Sequence, residues 1–136
     1  MAELEAVCGR LAALRISDAA LAELREANSS CQTAVTADDV EAYYSENERF
    51  HSIIYQQSGN SFLAQEAAKL HKRVQPFRRQ QLRFRGRMGQ SMSEHEQIVR
   101  ALEASKAEAA ADALRNHVAV QGEKFHQLMA TLKNTA

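Results

Sequence analysis

SMSEHEQIVRALEASKAEAAADALRNHV, residues 91–118, reads as two helices and the turn between them. Met92, His95, Val99 and Leu102 recur in steps of three and four, the spacing of one helical face. Ser105 with Glu108 three residues on has the form of a capping box that opens the next helix. Leu114 and Val118 begin a second stripe, which Gln121, Phe125, Leu128 and Leu132 continue at heptad-like spacing. No part of the chain shows the period-two alternation of a strand. His95 sits in the middle of the first stripe. His117 flanks the second, beside Ala110 and Ala113, small residues that leave room for a cavity.

Working outward, the same periodicity predicts six helices. The first covers about residues 2–15, with Leu4, Val7, Leu11 and Leu14 as its apolar face. Ile16-Ser17-Asp18 then reads as a staple residue followed by a cap, opening a second helix over about 18–31 that carries Leu21 and Leu24. Thr36 and Asp39 form a weaker capping box for a third helix that ends near Ser58-Gly59. Asn60 caps a fourth, about 61–85, whose inward stripe is Leu63, Ala67, Leu70, Val74 and Phe77. Pro76 lies inside it, and its missing N–H predicts a kink near residues 72–76. Gly86 and Gly89 flank the break before the fifth helix, about 90–104, and the sixth runs over about 106–133. The connections are short, so the expectation is one all-α domain, an antiparallel bundle in which consecutive helices are neighbours.

Composition agrees. One Pro and five Gly in 136 residues favour helix, and a hydrophobic fraction of 45% with 25% charged residues fits an ordinary globular core. Lys+Arg and Asp+Glu are both 17, which argues against binding nucleic acid through bulk charge. No apolar run is long enough for a membrane helix and the N-terminus has no secretion-signal pattern. Cys8 and Cys31 lack any metal or redox spacing and read as two reduced thiols of a cytoplasmic protein.

Three histidines lie in or beside apolar stripes on three different helices. On the third helix Val40, Tyr44, Asn47, His51 and Ile54 share the inward face, so Asn47 and His51 stand one turn apart. His95 and His117 are the other two. A buried ring nitrogen needs a partner. One divalent ion of the zinc, nickel, copper or iron class would satisfy three imidazoles jointly, with the Asn47 amide oxygen as a further donor. The competing explanation is three unrelated core histidines, each hydrogen-bonded to its own neighbour. His71 and His126 fall outside the constellation and read as surface or peripheral.

Two segments together resemble a known family. NERFHSIIYQQSGNSFL, residues 47–63, is similar to the third-helix segment of the FCD domain, the all-helical ligand-sensing domain of GntR-type transcription regulators. The EH-x-x-I run of residues 94–98, followed by a turn and an alanine-rich helix leading to His117, is similar to the family's later segment. ELEAVCGRLAALRIS at the start resembles its first helix, so the likeness covers residues 1–136. The resemblance implies a divalent metal, with zinc and nickel the leading candidates, on Asn47, His51, His95 and His117. It also implies a small carboxylate effector and a homodimer. Where the family frequently has Asp, this chain has Asn47, which carries no charge. GntR regulators place a winged helix-turn-helix ahead of this domain. No stretch here resembles one, so DNA contact is expected only through a domain outside this chain.

Between Lys69 and Arg87 lie eight basic residues and no acid. Three readings compete. One is a solvated face balanced by a neighbouring acidic helix or a partner subunit. The second is that one or two arginines turn inward to clamp an anionic effector. Here the resemblance points to Arg73 and Arg78, and Arg73 borders the inward stripe three residues after Leu70. The third is nucleic-acid contact with Phe77 and Phe84 stacking on bases. At the level of function, an effector-sensing module that is not an enzyme stands against a metal-dependent hydrolase or lyase. The spacing argues against catalysis, because Glu48 and Glu94 fall off the inward stripes and no inward carboxylate is left to act as a base.

Overall fold

A computed structural model describes the backbone of residues 1–134 and the side chains of residues 1–119 and 130–131. Six helices follow one another: α1 (Ala2–Arg15), α2 (Asp18–Thr36), α3 (Val40–Gln57), α4 (Ser61–Gln81), α5 (Arg87–Glu103) and α6 (Ala107–Asn134). Among the described residues there is no strand. The N-caps follow the expected chemistry. Ser17 Oγ accepts from the Ala20 N–H, and Asn60 Oδ1 from the Leu63 N–H, both at 3.0 Å.

Two caps differ from the reading of the sequence, for one shared reason. Asp38 and Ser105 adopt left-handed φ angles of 53° and 55°. Each closes the preceding helix with the paired backbone bonds of a Schellman turn: Asp39 N–H to Ala34 O with Asp38 N–H to Val35 O, and Lys106 N–H to Ala101 O with Ser105 N–H to Leu102 O. Thr36 therefore ends α2, which runs five residues past its expected end, and Asp39 itself caps α3 by accepting from the Ala42 N–H. Ser105 terminates α5 and does not open α6, and Glu108 pairs instead with Arg10. At the other break α4 stops at Gln81 and α5 starts at Arg87, so the boundary lies a few residues earlier than the glycines suggested.

Consecutive helices pack as neighbours at α2–α3, α3–α4 and α5–α6, whereas α1 passes over α2 and lies chiefly along α6 and α3. The expected α1 face is corrected by this contact. Leu14 is 66% exposed and Val7 is exposed, while Glu5, Cys8, Gly9, Ala12 and Ala13 are buried. Small residues face inward because the two helices approach closely: a Cβ on Gly9 would sit 2.2 Å from Leu114 Cδ1. On α4 the inward face is mixed, with Ala67 in the core and Leu63 packed against it, but polar residues share it. Ala67, His71, Arg78 and Gln81 are buried, and Phe77, expected inside, is 43% exposed.

The apolar core comes in two parts. Cys8, Leu24, Phe50, Ile54, Ile98, Leu102 and Leu114 belong to the larger cluster. Cys31, Tyr43, Tyr44, Leu82 and Met88 form the smaller. Along α3 and α5 the buried polar residues Asn47, Ser91 and His95 fall between these clusters, and His51 falls among residues of the larger one. His95 stacks on Phe50 of the larger cluster and Tyr43 of the smaller, so the candidate site is a buried polar layer that touches both.

Candidate metal centre

His51, His95 and His117 are each fully buried, and they meet. One ring nitrogen from each lies within 4.8 Å of the others. The ring centroids are 5.2 Å apart for His51–His117, 5.0 Å for His95–His117 and 5.7 Å for His51–His95. Helical spacing on α3, α5 and α6 aims these side chains at one point, as the stripes predicted. Asn47, one turn before His51, is 3% exposed and its Oδ1 has no hydrogen-bond partner.

The far sides of two rings are held by carboxylates. Glu5 Oε1 stands 2.6 Å from His51 Nδ1, and Glu94 Oε1 stands 2.6 Å from His117 Nδ1. Burial raises the affinity of Glu5 for a proton, but the charges of His51 and Arg78 and the hydrogen bonds from His51 and Tyr55 outweigh it and hold the carboxyl well below its ordinary range. Glu94 is also lowered, burial being overcome by hydrogen bonds from His117 and Arg87. An ionised carboxylate only accepts, so each Nδ1 donates and each ring turns its Nε2 away from the carboxylate. Those two Nε2 atoms face each other at 3.3 Å.

His95 differs. Neither of its ring nitrogens has a hydrogen-bond partner. Its ring stacks on Phe50 with centroids 4.1 Å apart and planes within 9°. Burial first, then the charges of His117, His51 and Arg87, push its pKa well below the ordinary value; burial chiefly lowers that of His117 to about 4. Both are therefore neutral near pH 7, the form that ligates metals.

A divalent cation fits these residues. Beside the two Nε2 atoms that meet at 3.3 Å, an imidazole without a hydrogen-bond partner (His95) and an orphaned amide oxygen (Asn47) are buried polar atoms that the protein does not satisfy. The 3.3 Å Nε2 separation also matches the edge of a tetrahedron with Zn–N bonds of about 2.0–2.1 Å, which is about 3.3–3.4 Å. The residues that would hold the ion are His51, His95 and His117, with Asn47 the nearest oxygen donor by helix register.

The remaining candidates divide. Arg78 is 5% exposed and reaches the site's periphery, where Nη2 donates to Glu5 Oε2 at 3.1 Å and Nη1 to His71 Nδ1 at 2.6 Å. Arg73 is not brought in. It lies on the outer surface of α4 with Lys69 and Lys72, because the inward register runs through His71 and Arg78. His71, expected to be surface or peripheral, is not at the surface: it is 7% exposed, accepts from Arg78 and lies 3.2 Å from the Tyr55 hydroxyl. Burial, then the Arg78 charge, lowers its pKa to about 3. The side chain of His126 lies outside the described residues, as do Gln121, Phe125, Leu128 and Leu132 of the expected α6 stripe.

Glu5 is the residue that the sequence reading missed, and Glu94 was misjudged. Glu94 does leave the α5 stripe, but the side to which it points is occupied by His117 of α6. Glu48 behaves as expected: it takes the Tyr44 hydroxyl and stays partly exposed. The basic stretch is largely a balanced face, with Arg79 and Arg83 both pairing with Glu41.

A sequence profile of the FCD domain matches residues 1–120. The chain belongs to the FCD domain family. Its fold is that of two solved proteins, McbR/YncC of E. coli and a GntR protein of Streptococcus agalactiae. The first superposes with a TM-score of 0.84 at 22% identity, covering 94% of this chain and 61% of that one. The second gives 0.72 at 23% identity, covering 86% and 52%. This FCD chain thus spans between half and two thirds of the length of those proteins. No curated protein matches it by sequence. Among the described residues no helix is long and apolar enough to cross a membrane.

Proposed function

We propose that this FCD domain is the ligand-sensing part of a cytoplasmic GntR-type regulator. It holds a divalent transition metal, zinc or nickel, on His51, His95, His117 and Asn47, and it responds to a small carboxylate effector. The observation that carries this reading is the convergence of three buried imidazoles from three helices, beside which both His95 nitrogens and the Asn47 amide oxygen have no hydrogen-bond partner. Once bound, the ion supplies a buried positive charge with coordination positions to spare, which favours an anionic ligand. Asn47 adds no charge, so this chain leans on its ligand for neutrality more than an Asp-bearing relative does. Arg78, buried beside the site and bonded to Glu5 and His71, is the arginine that would meet a carboxylate, through exchange of one of those bonds.

The chain's own residues make the response mechanical. Asn47 and His51 belong to α3, His95 to α5 and His117 to α6, while Glu5 ties His51 to α1 and Arg78 ties Glu5 to α4. A ligand that draws on any of these groups favours one packing of the helices over another, in proportion to its difference in affinity for the two. In a homodimeric regulator that difference would reach a DNA-binding domain as a change in dimer geometry. The site reads as regulatory rather than catalytic because both carboxylates beside it are committed to an imidazole and an arginine.

Elemental analysis of protein purified without added metal tests the first half of this reading. About one zinc or nickel per chain is expected, and its removal by a chelator lowers Tm. A thermal-shift screen of small mono-, di- and hydroxycarboxylates on the metal-loaded protein tests the second. At a ligand concentration about one hundred times Kd the stabilisation is about 2.7 kcal/mol. Metal-free protein whose Tm ignores added zinc and nickel would refute the metal centre, and a screen without a single hit would refute the carboxylate.

A further inference from the structure

Two of the three candidate ligands are supported alike and the third is not. Glu5 from α1 and Glu94 from α5 each hold an imidazole Nδ1 at 2.6 Å. Behind each carboxylate stands a buried arginine: Arg78 Nη2 at 3.1 Å from Glu5 Oε2, and Arg87 Nη2 at 3.1 Å from Glu94 Oε1 with Nη1 at 3.4 Å from Oε2. Tyr55 adds a hydroxyl donor to Glu5 Oε1 at 2.6 Å. Each of these named neighbours donates to its carboxylate, so each ring carries a hydrogen on Nδ1. His95 has no such chain and is located by stacking on Phe50.

We propose that Glu5–Arg78 and Glu94–Arg87 are positioning dyads that fix the tautomer and ring orientation of His51 and His117, presenting both Nε2 lone pairs to the cation. This inference rests on the metal-centre reading above. The simpler alternative is a pair of structural salt bridges. Geometry argues otherwise: in both dyads the shortest contact of the carboxylate is to the imidazole, 2.6 Å against 3.1 Å to the guanidinium. Buried ion pairs are also poor stabilisers compared with apolar packing of the same volume. Carboxylates in this position generally raise the basicity of a ligating histidine, and losing one weakens metal affinity by about 10- to 100-fold.

The test is nickel and zinc affinity, measured by competition with a chromophoric chelator, in wild type, Glu94→Ala and Glu94→Gln. Nitrogen-15 NMR of the histidine rings in metal-free protein accompanies it. Expected are Nδ1–H tautomers for His51 and His117 in wild type, a roughly 10- to 100-fold loss of affinity in Glu94→Ala, and substantial rescue in Glu94→Gln, whose amide oxygen still accepts from Nδ1. The NMR result needs no substitution, so it decides even if Glu94→Ala folds poorly. Nε2–H tautomers in wild type, or folded Glu94→Ala binding metal as tightly as wild type, would overturn the positioning role while leaving the metal centre standing. A wild type that binds neither metal removes both.

Discussion

Replacing Arg78 by Met is the most direct probe of the buried polar layer. The guanidinium lies 3.1 Å from Glu5 Oε2 and 2.6 Å from His71 Nδ1, and the residue is 5% exposed against 0% for Glu5. Methionine fills similar volume without charge. It leaves a fully buried carboxylate facing an apolar side chain, a loss worth about 3–5 kcal/mol for buried pairs. Glu5 keeps its bonds from His51 Nδ1 and the Tyr55 hydroxyl, so the lower end applies, about 3 kcal/mol. Unfolding entropy of about 2.1 cal/mol/K per residue makes each kcal/mol worth about 3.5 °C in a chain of 136 residues. Arg78→Met should therefore lower Tm by about 10 °C.

Calorimetry and urea unfolding of metal-free protein at pH 7 provide the measurement, with Glu5→Gln and the double variant closing a thermodynamic cycle. Once the carboxylate is gone the guanidinium has no charge to compensate, so the double variant should recover part of the loss, with a coupling of at least about 1.5 kcal/mol. Strictly additive losses, or a loss below about 1 kcal/mol for Arg78→Met, would show that water or a shifted helix satisfies Glu5 and that the layer is not closed.

Gly9→Val should cost about 1–3 kcal/mol in thermal unfolding, because its Cβ meets Leu114 Cδ1 at 2.2 Å and the Ala110 carbonyl at 3.3 Å; unchanged stability would mean that α1 and α6 are less tightly apposed. Ser105→Gly should raise stability by about 1 kcal/mol, since Ser105 holds a left-handed φ of 55° that glycine adopts freely, and a lower Tm would count against the Schellman turn. Stability of the metal-free protein should fall between pH 7 and pH 5. His71 stays neutral in the fold, its pKa lowered to about 3, whereas the unfolded chain takes up that proton near 6.5; the loss grows as pH drops from about 6.5 toward about 3. By pH 5 the His71 share amounts to about 2 kcal/mol in urea titrations, beside the shares of His95 and His117, whose pKa values are lowered as well, and His71→Gln should remove its own share of the slope; an equally steep slope in that variant would assign the whole effect elsewhere.

The six helices and the three histidines were legible because both announce themselves by periodicity. A face of Tyr44, Asn47, His51 and Ile54 is read from α3 whether its members are apolar or not. The α1 face was misread for the opposite reason. Leu4, Val7, Leu11 and Leu14 outweigh the small residues in any hydrophobic count, yet close contact with α6 demands Gly9, Ala12 and Ala13 on the inside. Glu5 shares that inward face and was lost with it. On α4, His71 and Arg78 stand seven residues apart, two turns of helix, and so do Arg87 and Glu94 on α5. That spacing is the signal that would have separated Arg78 from Arg73, since a polar face keeps the same period as an apolar one.

Why this bundle carries such a layer at all follows from its energetics. The two apolar clusters that adjoin the histidines are made of ordinary core residues. Inserting Glu5, His51, His71, Arg78, His95 and His117 beside them exchanges apolar burial for desolvated charge and unsatisfied nitrogens, and neither stabilises a fold. Stability therefore does not account for the layer. The ligand proposed above would account for it, because its binding energy would be returned to the helices that hold those nitrogens and would be largest in the packing where they converge. The same residues that weaken the empty bundle are the ones through which an occupant can choose its shape.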